Sequence, residues 1–406
     1  MISRHTILCS GCNSRITLRL SVGLDKEQPF YFVCNKCNAV TRGKLVIWYK
    51  PKVGARLELE EGREIKETES STQVITIHPD LPARADAREM WDEGGSPFIM
   101  HHQLLGARFS EFYRRLNTFR TVSGQDWLKV QRWIGYYVNC RWEDFDSEGK
   151  RIFEENWPSP VKEWMRHDFI HKALDTLFAP IWINLYYPTM KAEWCCLSGF
   201  PEGMPKAVKD FAKSSIQSGE IQEVQKEVFH CLDLFMENRS GLLPGLAAEM
   251  YTIDKEKSIQ ELRLFRDEFS QLRDLYVVTF ETCHHVLKYV VAVNNIKKRG
   301  DCDDFGQAGP KSIEAFEKLP NAKKIEFLAD LAQWQENWPL VLDRNLRNAI
   351  SHHRVHHDLT TGTLVFEQGE AIPYLEFVVK SLRLIHPILL VANVLKTMHI
   401  ICTIEK

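Results

Sequence analysis

The chain lacks the motifs that identify several large enzyme classes. Its 406 residues contain no G-x-x-x-x-G-K-[ST], no G-x-G-x-x-G and no G-x-S-x-G. These patterns cradle nucleotide phosphates or present a nucleophilic serine. Nucleotide hydrolysis, dinucleotide redox chemistry and serine-hydrolase chemistry therefore have no support in the sequence.

Net charge and uninterrupted apolar runs are also scarce. The formal net charge is −2 at pH 7, which excludes a globally basic nucleic-acid coat and confines any RNA site to a local patch. The most apolar stretch, residues 372–395, is interrupted by Glu376, Lys380 and Arg383, so we expect no membrane partner. The first residues have no signal-peptide apolar core, and we expect a cytoplasmic protein.

The cysteines divide into two groups. Seven of the eleven are scattered, which is typical of a reducing compartment. The other four, Cys9 with Cys12 and Cys34 with Cys37, form two C-x2-C pairs separated by 21 residues. Four thiolates at this spacing satisfy the closed tetrahedral shell of structural Zn²⁺ and leave no position for a catalytic water.

The residues between and after these pairs have the alternation of strands. Strands are predicted at residues 16–22, 29–33 and 44–49. The segment 1–49 resembles a zinc ribbon, a module of many nucleic-acid-handling and adaptor proteins, and so small a domain would need its metal for stability. Its basic residues could touch phosphate or be ordinary surface residues, and they are Arg15, Arg19, Lys36 and Arg42.

The rest of the chain predicts a mainly α-helical protein. Residues 50–98 resemble a connector with some β content, 99–245 a helical domain rich in tryptophan, and 246–406 a helical bundle. Residues 255–298 have no Gly or Pro and predict one long helix, preceded by a loop at Gly241, Pro244 and Gly245. Tryptophans alternating with arginines in the middle domain fit either a core or a clamp for single-stranded RNA.

The segment Arg347-Asn348-Ala349-Ile350-Ser351-His352 carries the strongest functional signal. At 3.6 residues per turn, Leu346 and Ile350 fall on one side of a helix, and the polar residues fall on the other. Asn348 and His352 are four positions apart, so the amide can orient the ring. Arginine is a planar phosphate ligand, and histidine titrates near neutrality. Together they suit attack of a ribose 2′-hydroxyl on its own phosphodiester.

This segment resembles the Arg-x4-6-His signature of the HEPN (higher eukaryotes and prokaryotes nucleotide-binding) superfamily, in the common form where Asn follows Arg. A predicted hairpin at Val355–Phe366 and a long apolar helix at Pro373–Ile400 extend the resemblance over the last third of the chain. Arg354 stands where one toxin subfamily has tyrosine, which argues against that subfamily alone. The resemblance implies a C-terminal HEPN-like helical bundle.

Two functions follow from the resemblance. The first is a metal-independent endoribonuclease that leaves a 2′,3′-cyclic phosphate, acts in antiviral defence or as a toxin, and works as a homodimer restrained by a protein partner or inhibitor. Its site would comprise Arg347, Asn348 and His352. The alternative is a non-catalytic adaptor that binds nucleic acid, nucleotide or a protein.

Weaker candidates lie elsewhere in the chain. His167 and His171 are spaced for a shared metal but lack an adjacent third ligand, so core or surface roles are favoured. The acidic loop at residues 301–304 could hold Mg²⁺, although ordinary solvated carboxylates are favoured. His353, His356 and His357 crowd the motif and could tune His352 or contact substrate.

Overall fold

The computed structural model describes residues 2–23, 25–48, 54–66, 73–84, 96–181, 206–307, 309–328 and 342–403. The protein is mainly α-helical, with small β-sheets near the N-terminus, as predicted. The described strands are β1 (Ile2–Leu8), β2 (Arg15–Ser21), β3 (Glu27–Val33), β4 (Val40–Trp48), β5 (Gly54–Leu59), β6 (Arg63–Ile65), β7 (Gln73–Ile77), β8 (Ala83–Arg84), β9 (Leu262–Arg263), β10 (Val355–Asp358), β11 (Thr363–Phe366) and β12 (Ala371–Pro373). The described α-helices are α1 (Pro97–Leu105), α2 (Phe109–Thr121), α3 (Trp127–Val138), α4 (Trp142–Phe153), α5 (Glu163–Phe178), α6 (Lys206–Gln217), α7 (Glu220–Glu237), α8 (Arg239–Met250), α9 (Lys255–Glu261), α10 (Phe269–Arg299), α11 (Ile313–Glu317), α12 (Asn321–Lys324), α13 (Arg344–Ser351), α14 (Tyr374–Arg383) and α15 (Ile385–Thr403).

The chain divides into two compact units, each assembled from distant segments. Unit 1 comprises Met1–Asn117, Asn238–Asp274 and Asn348–Leu382, and unit 2 comprises Thr118–Glu237, Leu275–Arg347 and Arg383–Lys406. Position along the chain therefore does not decide which segments pack together. The sequence-based boundaries at 49, 98 and 245 stay predictions, and the last of them falls inside helix α8.

Two β-sheets form the N-terminal part of unit 1. Their strand orders are β6-β1-β2-β7 and β3-β4-β5. All pairs are antiparallel except β2 with β7, which are parallel. The strands predicted at 16–22, 29–33 and 44–49 are confirmed as β2, β3 and the end of β4. Strands β5, β6 and β7 come from the predicted connector, so that segment belongs to the sheets.

The two sheets bury one shared core. The first sheet contributes Ile7, Ile16 and Leu18, and the second contributes Phe32 and Leu45, all with no exposed surface. In β2 the apolar residues alternate with polar ones, so one face of the strand points into this core. Ile75 and Ile77 of β7 and Phe265 also belong to this core, so it is larger than the predicted 49-residue ribbon would supply.

The single long helix predicted at 255–298 is wrong at residues 262–268. Helix α9 ends at Glu261, because the next residues are extended and pair with β8. The Tyr31 N–H donates to the Phe265 carbonyl over 2.8 Å, and the Tyr31 hydroxyl donates to the Leu264 carbonyl over 2.7 Å. Phe265 then joins the sheet core. Pairing with distant strands overrides the local helical pattern here.

The loop predicted at Gly241, Pro244 and Gly245 is also wrong. These residues lie inside helix α8, whose residues 241–250 are all buried. A Cβ on Gly245 would lie only 3.2 Å from the Val378 carbonyl oxygen, so glycine permits close packing against α14. Burial of the whole segment keeps it helical despite the proline.

In unit 2 the tryptophans support the core interpretation. Trp127 and Trp133 are buried. The Trp133 indole donates to the Phe145 carbonyl over 2.9 Å and stacks on the Phe145 ring at 4.5 Å. The neighbouring Arg166 is paired with Asp146. These contacts favour a packed helical core over an RNA clamp, while Trp182 and Trp194 lie outside the described residues.

The C-terminal elements follow the predicted order. The hairpin at Val355–Phe366 is confirmed as β10 and β11, with Gly362 at φ +73° in the turn. The long apolar helix is two helices, α14 and α15. In the described part of the chain, Tyr374–Thr403 alone has the length and apolarity of a membrane span, and most of it is buried inside the protein. Core helices have the same properties.

Candidate functional site

The four N-terminal cysteines lie in two turns of the same local geometry. Each turn closes a hairpin, the first between β1 and β2 and the second between β3 and β4. In each, the residue after the second cysteine is an asparagine with positive φ, +56° at Asn13 and +59° at Asn38. Their N–H groups donate to the carbonyls of Cys9 and Cys34 over 3.0 and 2.8 Å. Asparagine tolerates this left-handed conformation better than other non-glycine residues, which explains why the sequence reads C-x2-C-N twice.

These turns bring the four thiols into one cluster. All four Sγ atoms lie within 4.8 Å of one another, and the group could hold a metal ion. The Cys9–Cys37 and Cys12–Cys34 sulfur separations are 3.5 and 3.8 Å. Tetrahedral coordination at a Zn–S length of about 2.3 Å requires sulfurs about 3.8 Å apart. The donor set and its spacing therefore fit a four-thiolate ion site.

A nearby hydroxyl favours the thiolate form of one of these cysteines. Ser14 Oγ lies 3.0 Å from Cys12 Sγ. This hydrogen bond lowers the pKa of Cys12 to about 6. Metals bind the thiolate and not the thiol, so this hydrogen bond prepares Cys12 as a ligand, whereas desolvation and the neighbouring thiols raise the pKa of Cys37. Ser14 was not recognised in the sequence, because a serine two residues after a cysteine is unremarkable without the fold.

A second group, Asp301, Cys302 and Asp303, also has metal-ligand spacing. Its carboxylates already bind the loop backbone. Asp301 accepts from the Asp303 N–H over 3.0 Å, and Asp303 accepts from the Ile313 N–H over 2.7 Å. These contacts account for the acidic residues as loop-forming groups, which matches the favoured sequence interpretation.

Helix α13, which carries the Arg-Asn-x3-His segment, has well-defined ends. Asp343 Oδ1 accepts from the Leu346 N–H over 3.0 Å and caps the first turn. At the other end the Arg354 N–H donates to the Ala349 carbonyl and the His353 N–H to the Ile350 carbonyl. His353 has φ +55°. These features form a Schellman motif in which His352 is the C-cap residue.

The predicted apolar side of this helix is confirmed. Leu342, Leu346 and Ile350 are buried, whereas Arg344, Asn345 and His352 are exposed. The division between the two units falls between Arg347 and Asn348, so Arg347 belongs to unit 2 and His352 to unit 1.

Arg347 is held by an acidic residue that the sequence analysis missed. Its Nη2 forms an ion pair with Glu281 Oε1 on helix α10, and the two side chains are 28% and 39% exposed. Asn321 Nδ2 donates weakly to the other Glu281 oxygen over 3.5 Å. Glu281 lies 66 positions before Arg347 in a helix with many charged residues, so no local pattern could have identified it.

His352 and Asn348 are linked through the backbone. The His352 N–H donates to the Asn348 carbonyl over 3.0 Å, and the predicted contact between their side chains stays a prediction. Among the described residues, the His352 imidazole has no hydrogen-bond partner. Its neighbours His353, Arg354 and His356 are exposed as well. The end of α13 therefore presents several basic or titratable groups to solvent.

His357 has a different, structural environment. Its side chain is 3% exposed, and Nδ1 lies 2.9 Å from Asp267 Oδ1. The ring packs on Tyr374 at 4.1 Å and meets the edge of Tyr31 at 6.1 Å. Successive side chains of a strand point to opposite faces, so His357 is buried while its neighbour His356 is exposed. This histidine anchors the hairpin to the rest of unit 1.

His167 and His171 are buried core residues. His167 Nδ1 lies 2.6 Å from the Tyr137 hydroxyl, and its ring stacks on His399 at 4.4 Å. Burial lowers the pKa of His399 to about 4, and burial together with the charges of His399 and Arg166 holds the pKa of His167 well below its ordinary value. Both rings are therefore neutral at physiological pH. These contacts place both histidines in the packed core, one of the roles that the sequence analysis favoured.

Comparisons with family models, with curated proteins and with solved structures found no match to this chain.

Proposed function

We propose that this protein is a metal-independent endoribonuclease of HEPN type. The observation that carries the proposal is the end of helix α13, where a helix with a buried apolar side presents exposed His352 beside further basic groups. Its C-terminal region would be a HEPN-like bundle, and a role in antiviral defence or as a toxin belongs to the same proposal.

In this reaction the ribose 2′-hydroxyl attacks the adjacent phosphorus and the 5′-oxygen leaves, which gives a 2′,3′-cyclic phosphate. His352 transfers a proton as base or acid. Arg347 stabilises the additional negative charge on the phosphoryl oxygens. Asn348 orients either the ring or the substrate. The ion pair with Glu281 would fix the guanidinium before substrate arrives.

The reaction needs one group that accepts a proton and another that donates one. Each chain offers a single Arg347–His352 unit. We therefore propose a homodimer in which two copies supply both groups across a two-fold axis. Light scattering should give twice the chain mass, and a monomer that cleaves RNA would contradict this arrangement.

The cysteine cluster completes the proposal as a zinc ribbon. Cys9, Cys12, Cys34 and Cys37 would hold one structural Zn²⁺, because four thiolates at these separations match its preferred shell. Zinc would join the tips of two hairpins that belong to different sheets. It would take no part in phosphodiester cleavage.

The test is cleavage of total RNA and tRNA in the presence of a chelator, with mapping of the ends produced. Wild type should yield cyclic-phosphate ends, and both His352→Ala and Arg347→Ala should abolish them. His230→Ala is the matched control, because it removes an exposed histidine from another helix, α7. Cleavage that survives His352→Ala, or that requires an added metal, would overturn the mechanism.

One observation favours the adaptor as a second candidate. Arg347 already has an acidic partner in Glu281, as an arginine with a structural role would. In an adaptor, the protein would bind RNA or a protein without cutting it. Wild type that binds RNA but yields no cyclic-phosphate ends on any RNA tested would favour this candidate.

A further inference from the structure

The first β-sheet has a face rich in arginine, opposite to the face that enters the core. Ile7, Ile16 and Leu18 point into the core, so the alternate residues lie on the other side. There Arg4 of β1 stands directly opposite Arg19 of β2. Arg63 of β6 and Arg15 of β2 flank Leu8 two rows further along the face, beyond the Thr6–Thr17 pair. We call these four arginines the arginine face.

Three arginines of this face, Arg4, Arg19 and Arg63, have no carboxylate beside them on the same side of the described strands of the sheet. The described strand residues that share it include no Asp or Glu. Arg4 and Arg63 are exposed, and no described contact gives Arg4, Arg19 or Arg63 a carboxylate partner. Burial and the neighbouring charge of Arg4 lower the pKa of Arg19. Like charges directly opposite each other destabilise a sheet, so a bound polyanion would relieve a repulsion that the fold retains.

A cavity of about 500 Å³ adjoins the arginine face. Ile2 and Ser21, which line it, are the next cross-strand pair on the same face after Arg4 and Arg19. Residues two apart in a strand are separated by about 7 Å. The cavity lies in unit 1, and its volume is in the range of small-molecule pockets.

The remaining walls of the cavity are largely apolar, with two aromatic rings, a histidine and the Asp80 carboxylate among them. Phe98 lies at the cavity and is 51% exposed, with Tyr113 6.0 Å from it, centroid to centroid. His78 Nδ1 accepts from the Asp80 N–H over 3.0 Å, which leaves Nε2 as the protonated donor nitrogen. Burial lowers the pKa of His78 to about 3, so the ring is neutral at physiological pH. An aromatic surface and a donor offer stacking and an edge contact to a nucleobase.

We propose that the arginine face and this cavity bind single-stranded RNA. Arg4, Arg19 and Arg63 contact backbone phosphates along one RNA strand, and one unpaired base enters the cavity against Phe98. A duplex cannot supply that base without opening. This assignment deepens the proposed ribonuclease function by naming a substrate surface separate from the residues that would cut.

The test measures RNA binding in a His352→Ala background, so that cleavage does not interfere. The probe is a short fluorescent single strand, compared with its duplex by anisotropy at several KCl concentrations. The variants are Arg4→Gln with Arg19→Gln, and Phe98→Ala. Arg56→Gln is the matched control, because Arg56 is an exposed arginine of the other sheet. Circular dichroism checks that every variant retains its fold.

The double arginine variant should bind the single strand at least about 10-fold more weakly than the parent protein. The magnitude of the slope of log K for binding against log salt should fall by about 1.4, because each lost phosphate contact removes about 0.7. Phe98→Ala should weaken single-strand binding about 10-fold without changing that slope. The duplex should bind more weakly than the single strand. Arg56→Gln should leave every value unchanged.

If the double arginine variant binds RNA as tightly as Arg56→Gln does, the arginine face is not an RNA-binding surface. If duplex and single strand bind equally well, the cavity does not take up an unpaired base. Stronger binding of polyglutamate than of RNA would identify an acidic protein as the partner and overturn the RNA assignment. The two proposals fail separately. If wild type cleaves RNA but the arginine and Phe98 variants bind RNA normally, only the proposed binding surface is refuted. If the variants lose binding as expected but wild type does not cleave RNA, only the proposed ribonuclease function is refuted.

Discussion

Arg347 on helix α13 is ion-paired with Glu281 on helix α10. The pair joins two helices that are distant in sequence and leaves the arginine side chain 28% exposed. An arginine in this state is restrained but still accessible to an anion. The same contact is compatible with a preorganised phosphate ligand and with a purely structural arginine, so its removal separates the two proposed functions.

Glu281→Gln should reduce the kcat of RNA cleavage about 10-fold while KM stays the same or falls. The guanidinium loses the partner that fixes its orientation, but its charge becomes freer to attract phosphate. The loss of stability should be below about 1 kcal/mol, because both side chains are partly exposed. Steady-state kinetics and urea unfolding measure the two effects.

Glu314→Gln is the control for this variant, since Glu314 forms an exposed ion pair with Lys318 and should affect neither quantity. Unchanged kcat in Glu281→Gln, with Arg347→Ala inactive, would show that the ion pair does not position the arginine.

Two histidines of the C-terminal region should respond in opposite ways to substitution. His352 is exposed, so His352→Ala should leave the unfolding free energy unchanged and reduce cleavage at least about 100-fold. His357 is buried against Tyr374 and bonded to Asp267. His357→Ala should therefore lower the unfolding free energy by about 2 kcal/mol. Urea denaturation of both variants checks this, and an equal loss of stability in both would contradict the assigned environments.

Local patterns in the sequence predicted those parts of the fold that depend on neighbouring residues. The strands beside the cysteines, the hairpin turn at Gly362 and the buried side of α13 are of this kind. The break after Glu261 is not, because it depends on backbone pairing with Tyr31 and Ala83. The helix through Pro244 is held by burial that only the assembled unit provides.

The candidate site divides in the same way. The four cysteines could be grouped from spacing alone, because each pair is local and the chemistry of thiolates is specific. The partner of Arg347 and the arginine face could not be found, because Glu281 is remote and Arg4, Arg19 and Arg63 share a face only through strand register. Register is set by the whole sheet and not by any one strand.

The purified protein should contain one zinc ion per chain, bound by the four thiolates. Its removal by a chelator should loosen the two turns around Cys9–Asn13 and Cys34–Asn38 and leave the sheets folded. The reason is the shared core, in which residues distant in sequence from the cysteines, such as Ile77 and Phe265, are buried together with Leu18 and Phe32. This differs from a ribbon that needs its metal to fold.

Hydrogen exchange with and without chelator measures this effect, and elemental analysis gives the stoichiometry. Cys12→Ser should reproduce the chelator result, whereas Cys231→Ser, a change of a buried cysteine far along the chain, should retain the ion. If zinc removal abolished hydrogen-exchange protection throughout β1–β4, the shared core would be shown to be insufficient to keep the sheets folded without the metal.

Acid should destabilise unit 2 through its stacked histidines. His399 has a pKa of about 4 in the folded protein and an ordinary value near 6.5 once unfolded. Below pH 6.5 the unfolded chain therefore binds a proton that the folded chain does not, and stability falls with pH until about pH 4. The contribution of His399 over this window is about 3 kcal/mol.

His167, whose pKa is lowered by burial and by the charges of His399 and Arg166, acts in the same direction. Urea unfolding at a series of pH values measures the slope, and His399→Phe, which keeps a ring but removes the titration, should flatten it. Stability that stays constant between pH 7 and pH 5 in the wild type would contradict the burial of these two rings.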